Sequence, residues 1–315
     1  MKKISKVLIL CFLFLQAGSY YPALGLDALD YEVAVNLYQA GENKKALKAV
    51  EKIEKEGGLN AEIALLKFEI YKKSGKMKEA KEALLEAVEL DGGCYEAYIA
   101  LAILEIENNN PNLARANFKK AIELCPEIEE SPDILYYYAK LCIMDKDFDS
   151  ALQNILSAIE LNGDEPLYYL ELGKIYLFKK EYLRAVNALE YSIGEDEEIN
   201  SEAYNYLGLA NYRRGNLVSA LNFFEKASSL RPENMVYLNN LAMCYKSLGE
   251  QENFEKTVNK LGNLSPNTPN DYVQLAGLLI SKKNIEGAKK ALSDGLERFP
   301  DNMLLKEMLS KLNKS

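Results

Sequence analysis

Residues 201–234 read SEAYNYLGLANYRRGNLVSALNFFEKASSLRPEN. Tyr204, Leu207, Gly208, Ala220, Phe224, Ala227 and Pro232 stand at offsets 4, 7, 8, 20, 24, 27 and 32 of this 34-residue stretch. The same spacing recurs outward in both directions. It defines repeats at 27–60, 61–94, 95–128, 132–165, 166–199, 201–234, 235–268 and 269–302. Three extra residues, Glu129 to Ser131, precede the fourth repeat, and one, Asn200, precedes the sixth. Offset 20 is Ala46, Ala80, Ala114, Ala151, Ala185, Ala220, Phe254 and Ala288. Offset 8 is small in all but one repeat: Ala34, Phe68, Ala102, Ala139, Gly173, Gly208, Ala242 and Ala276. Small side chains let two helix backbones approach closely, and a larger one would overpack the pair at roughly 1–3 kcal/mol.

Offset 24 is apolar throughout, from Val50 and Leu84 to Val258 and Leu292. Offset 32 is Gly or Pro in every repeat but the fifth, where Glu197 stands. Glycine permits the left-handed turn that ends a helix, and proline cannot continue one. Gly41, Gly75, Gly215 and Gly249 share offset 15, between two apolar runs of about 13 residues. Each repeat therefore reads as a helical hairpin. Ser131-Pro132 supplies an N-cap and a first-turn proline for the fourth repeat. Phe254 and Leu261 occupy two small-residue positions of the seventh repeat and predict a splayed or shifted helix pair there.

The aromatic, Leu-Gly, Ala, Phe and Pro spacing resembles the tetratricopeptide repeat, over about nine-tenths of the chain. The resemblance implies an all-α fold, an α-solenoid of about eight helix pairs across 27–302. Residues 303–315 break the period and read as a capping helix and tail. It also implies a protein or peptide partner, bound in a concave groove, rather than catalysis. Chaperone-tail receptors of this kind carry a Lys and Asn set on three consecutive repeats. No three repeats here supply it, and Asn205, Leu209 and Asn240 give only a fragment.

The first 25 residues lie outside the period. Lys2, Lys3 and Lys6 precede the apolar run Val7 to Leu15, followed by small residues at Ala17-Gly18-Ser19 and Ala23-Leu24-Gly25. That is the layout of a secretory signal peptide, and the run is too short to span a bilayer comfortably. The expected location is exported, periplasmic or secreted; an uncleaved N-terminus anchored in the inner membrane is the alternative. A membrane is otherwise not expected as a partner. The chain has 38 basic and 47 acidic side chains and a formal charge of −9. Removing the leader takes three lysines with it. An acidic surface disfavours nucleic acid as a partner.

The chain contains no histidine. This excludes Ser-His-Asp and Cys-His nucleophiles and imidazole-based zinc sites. Neither Cys-x-x-Cys nor a glycine-rich phosphate loop occurs. The reading is a non-enzyme without cofactor or metal. The acidic run Glu195, Asp196, Glu197 and Glu198 suits a hard cation by chemistry, but its position in a closing turn suits a solvated loop better. Cys94 precedes the first helix of the third repeat and Cys125 follows its second. An antiparallel hairpin brings those two points together and makes them a candidate disulfide in an oxidising compartment.

One stripe is apolar where solvent exposure would favour polar residues. Offsets 2, 5, 9, 12 and 13 lie on the first helix opposite the core-facing offsets 4, 7, 8 and 11. In the third repeat this stripe contains Ile99, Ile103 and Ile106. In the fourth it contains Tyr136, Lys140, Ile143 and Met144, and in the fifth Leu167, Leu170, Lys174, Leu177 and Phe178. An exposed patch of this kind marks an interaction site. The expectation is a groove for a segment of another protein, with Lys140 and Lys174 holding an acidic group or chain terminus. Burial of the stripe between neighbouring first helices is the competing reading. The expected role is an exported scaffold or adaptor in an envelope assembly or secretion complex. The alternative role is a self-associating structural subunit of an envelope complex.

Overall fold

The structure, a computed structural model, describes residues 28–314. The expected leader, 1–25, lies outside the described residues, with Cys11 and both small-residue sites. All regular structure among the described residues is helical. The described residues divide into two compact units, which meet between Asn162 and Gly163 in the sequence. In a repeat fold each hairpin packs on its neighbours and no single core gathers every helix.

The first unit contains α1 (Ala28–Gln39), α2 (Asn43–Lys55), α3 (Ala61–Lys73), α4 (Met77–Leu90), α5 (Tyr95–Glu107), α6 (Pro111–Leu124), α7 (Pro132–Met144) and α8 (Phe148–Leu161). A short 3₁₀ turn, Pro126–Ile128, leads into the inserted residues before α7. Ser131 caps α7 by accepting from the Ile134 amide at 3.3 Å, with Pro132 in the first turn. The second unit contains α9 (Pro166–Phe178), α10 (Tyr182–Tyr191), α11 (Glu197–Arg213), α12 (Leu217–Leu230), α13 (Met235–Leu248), α14 (Gln251–Gly262), α15 (Pro269–Ser281), α16 (Ile285–Arg298) and α17 (Met303–Lys314). Thr268 and Asp271 form a reciprocal capping box at the start of α15. The fold is thus all-α, a succession of antiparallel helix pairs. Helix α17 places Leu305, Met308, Leu309 and Leu312 against Tyr272, Ala276 and Leu292.

Close packing within a pair rests on offsets 8 and 24. A Cβ added to Gly208 would lie 2.5 Å from the Phe224 ring. One added to Gly173 would lie 2.4 Å from Leu189 Cγ. The small residue on the first helix therefore seats the large one on the second. Phe254 and Leu261, the two bulky exceptions of the seventh repeat, are both buried, in a cluster with Met235, Leu238, Ala242 and Leu275.

Each first helix reverses through one left-handed residue at offset 15. In four repeats it is glycine. In the other four it is Asn109, Lys146, Lys180 or Lys283, with φ between 60° and 64°. The residue after it donates its amide to the carbonyl five positions back, as in Asp147 to Cys142 at 2.8 Å and Glu181 to Tyr176 at 2.8 Å. This is the backbone bond of a Schellman motif. It explains why lysine is accepted there: the turn is fixed by main-chain pairing, and the side chain points to solvent.

One pair departs from the period. Helix α10 has ten residues, where α4, α6, α8, α12 and α16 have fourteen. Helix α11 starts at Glu197, four residues before the repeat boundary at Ser201. The extra residue Asn200 explains the shift. Its side chain accepts from the Gly194 amide at 2.9 Å and donates to the Gly194 carbonyl at 2.8 Å. Asp196, from the acidic run, caps α11 by accepting from the Glu198 and Ile199 amides.

Candidate functional site

In the first unit the apolar stripe is largely spent on packing. Ile99, Ile103 and Ile106 of α5 are each less than 9% exposed. They share a cluster with Ile134, Tyr137 and Leu141 of α7, against which Tyr136 and Met144 also pack. The expectation that these isoleucines line an open groove is therefore corrected. A first helix in a repeat stack faces its own partner and also the first helices beside it. Offsets 5, 9 and 12 of α5 serve that second contact. Tyr136, Lys140, Ile143 and Met144 on α7 remain half-buried. The Lys140 ammonium lies 5.4 Å from the centre of the Tyr136 ring and 5.9 Å from that of Tyr137. Among the described residues no carboxylate pairs with it.

The second unit treats the same stripe differently. Leu170 of α9 is buried among Ala203, Leu207 and Ala210 of α11, with Leu167 and Leu177 half-buried beside it. Phe178 is exposed. Lys174 is not an unfilled anchor: its ammonium lies 3.0 Å from Glu171 and 2.6 Å from Glu202. It also lies over the Tyr206 ring at 5.2 Å. Burial opposes the charge, but Glu171 and Glu202 outweigh it and hold the lysine pKa above its ordinary value. The expectation that Lys174 awaits a partner's acidic group is corrected, because this chain supplies the carboxylates.

Polar contacts continue between successive first helices of this unit. Asn240 donates to Asn205 at 2.8 Å, and Ser201 lies 3.5 Å from the Tyr237 hydroxyl. Tyr212 and Ser247 are 2.8 Å apart, and Lys246 donates to Ser281 at 3.0 Å. These partners stand 35 or 36 residues apart, one repeat plus one or two residues. That near-period pairing was available in the sequence as polar residues whose offsets differ by one or two between neighbouring repeats.

Cys94 and Cys125 are free thiols, so the candidate disulfide between them is not formed. The two side chains serve different neighbours. Cys94 packs with Ala64, Ala87 and Ala97. Cys125 packs at the edge of the cluster around Phe118 and Ile128. Each thiol donates to a carboxylate two residues on, Glu96 for Cys94 at 3.7 Å and Glu127 for Cys125 at 3.2 Å. Burial raises both thiol pKa values, to about 11 for Cys94. Among the described residues no three His, Cys, Asp or Glu side chains are grouped to hold a metal ion. No described helix is long and apolar enough to cross a membrane.

Comparison with known proteins agrees with this geometry. The tetratricopeptide repeat family model matches residues 69–94, 95–128 and 201–234. The chain is 24% identical over 271 residues to the TPR repeat-containing protein YpiA of Bacillus subtilis, covering 84% of this chain. It spans 61% of that relative's length. A tetratricopeptide repeat protein from Parabacteroides merdae has a similar structure, with a TM-score of 0.59 and 18% identity. That likeness covers 81% of this chain and 99% of that one. Yeast Tom70 superposes with a TM-score of 0.60 and 16% identity over 86% of this chain and 58% of its own. Three segments of the chain thus match the tetratricopeptide repeat, and the described helices adopt the all-α repeat fold that these structures share.

Proposed function

We propose that this chain is an exported scaffold that binds a segment of another protein through the α7 face of its first unit. One observation carries the reading. Lys140 is an ammonium held over two tyrosine rings, beside half-buried Ile143 and Met144, and no carboxylate among the described residues pairs with it. Such a site suits a segment with an acidic residue or chain terminus and an adjoining apolar side chain. The tetratricopeptide repeats favour protein partners, and the leader-like N-terminus favours an envelope assembly or secretion complex.

Burial decides which variants test this. Aspartate at Ile103 or Leu170 would unfold a repeat and say nothing about a partner. Lys140→Glu combined with Ile143→Asp changes half-buried side chains instead. Crosslinking in native cells, followed by mass spectrometry, should recover a partner with the natural chain and lose it with this variant, at unchanged helicity. N-terminal sequencing of the recovered chain should find a start after residue 19 or 25. Undiminished capture by the variant would exclude α7 as the site, and an intact Met1 on cytosolic chain would exclude export.

A further inference from the structure

The contact between α1 and α3 contains a carboxyl group with one buried oxygen unserved. Tyr38 of α1 donates its hydroxyl to Glu69 Oε2 of α3 at 3.2 Å. Glu69 Oε1 is buried and has no hydrogen-bond partner. The nearby cations are aimed elsewhere. Lys73 donates to the Tyr38 main-chain carbonyl at 3.0 Å and lies 4.5 Å over the Tyr38 ring. Lys72 lies over the Phe68 ring at 5.6 Å. On its other side α3 meets Ala100, Leu101 and Leu104 of α5, while Glu96 of α5 acts on Glu62. The charged and titratable groups acting on Glu69 are thus Tyr38 from α1 and Lys72 and Lys73 from its own helix.

An ionised carboxylate with an unserved buried oxygen is far more costly than a neutral carboxyl group in the same place. The Tyr38 bond and the Lys73 bond to the Tyr38 carbonyl are two polar ties between α1 and α3. We propose that Glu69 is a proton-controlled latch: ionising it leaves the buried Oε1 charged and unserved, which strains the α1–α3 contact although the Tyr38 bond itself favours the ionised form, so that the α1–α2 hairpin opens more readily in alkaline than in acidic solution. Burial, only partly offset by Lys72, Tyr38 and Lys73, raises the Glu69 pKa from 4.5 to about 7. A carboxyl group raised on folding contributes most below its unfolded pKa. That contribution falls away as pH rises from about 4.5 through about 7, the reverse of an ordinary ion-paired carboxylate.

The latch is tested on the full chain. A carbon-13 titration of the Glu69 carboxyl should show a midpoint within about one unit of 7. A midpoint below 5 would overturn the proposal whether or not any variant folds. Hydrogen exchange of the α1 amides, corrected for intrinsic rate, should show opening about tenfold greater at pH 9 than at pH 6 for a midpoint of about 7. Glu69→Gln should remove that difference while α11 to α13 exchange as before. An equal difference in the Gln variant would assign the loosening to other groups and sink the latch.

Discussion

Where α5 meets α7, Ile99, Ile103 and Ile106 pack on Tyr137 and Leu141; where α9 meets α11, Lys174 lies between Glu171 and Glu202. The two joints share inner offset 9, held by Ile103 in one and Lys174 in the other, and do the same architectural work. The first is non-directional and gains about 1.5–3 kcal/mol for each large apolar side chain fully buried. The second is directional. Removing one charge strands the others, while replacing the whole group with apolar residues can be neutral. The inner stripe is therefore stacking material first, and only what stacking leaves over is open to a partner.

Three substitutions separate the two chemistries. Ile103→Asp should have the largest effect, about 3–5 kcal/mol, because it places an unpaired carboxylate inside the α5–α7 cluster. Hydrogen exchange should show lost protection in α5 to α7 with α13 to α17 unchanged; uniform loss would mean that the repeats open together. Lys174→Met should cost less, about 2–3 kcal/mol, since the Glu202 carboxylate is more exposed and can turn to water. Adding Glu171→Leu should recover most of that loss in urea unfolding. No recovery would show that the joint is not limited by stranded charge. The Lys174 contribution also has a pH sign. Its folded pKa is raised, so the contribution is complete below the ordinary lysine value of 10.5 and is lost as pH rises through the higher folded value.

The smallest effect should come from the turns and should be alike in both units. Lys146→Gly in the first and Lys180→Gly in the second should each stabilise by about 0.5–1 kcal/mol, by relieving a left-handed backbone at a non-glycine residue. Thermal melts check this, and destabilisation at either site would mean that the lysine side chain contributes to its turn.

The hairpins were legible because offsets 8, 20 and 24 report a contact inside one repeat, as Gly208 on Phe224 shows. The stripe was misread for a physical reason. Helical periodicity separates the face toward the hairpin partner from its opposite, but does not reveal whether the opposite face meets water or another first helix. Ile99 and Lys174 both lie on that contact between first helices, so one looked like a groove wall and the other like an anchor. The early start of α11 was hidden because a single residue, Asn200, gives no period of its own. The left-handed lysines were visible in principle. Lys146, Lys180 and Lys283 share the offset of Gly41 and Gly75, and that coincidence was the signal.

The turn bond places an internal gauge in the molecule. The amides of Glu42, Lys76, Asn110, Asp147, Glu181, Asn216, Glu250 and Asn284 each donate, at 2.8 to 2.9 Å, to the carbonyl five residues back. They form one chemically matched probe per repeat. Their relative exchange rates would rank all eight hairpins by opening free energy within one sample, without a mutation or a label.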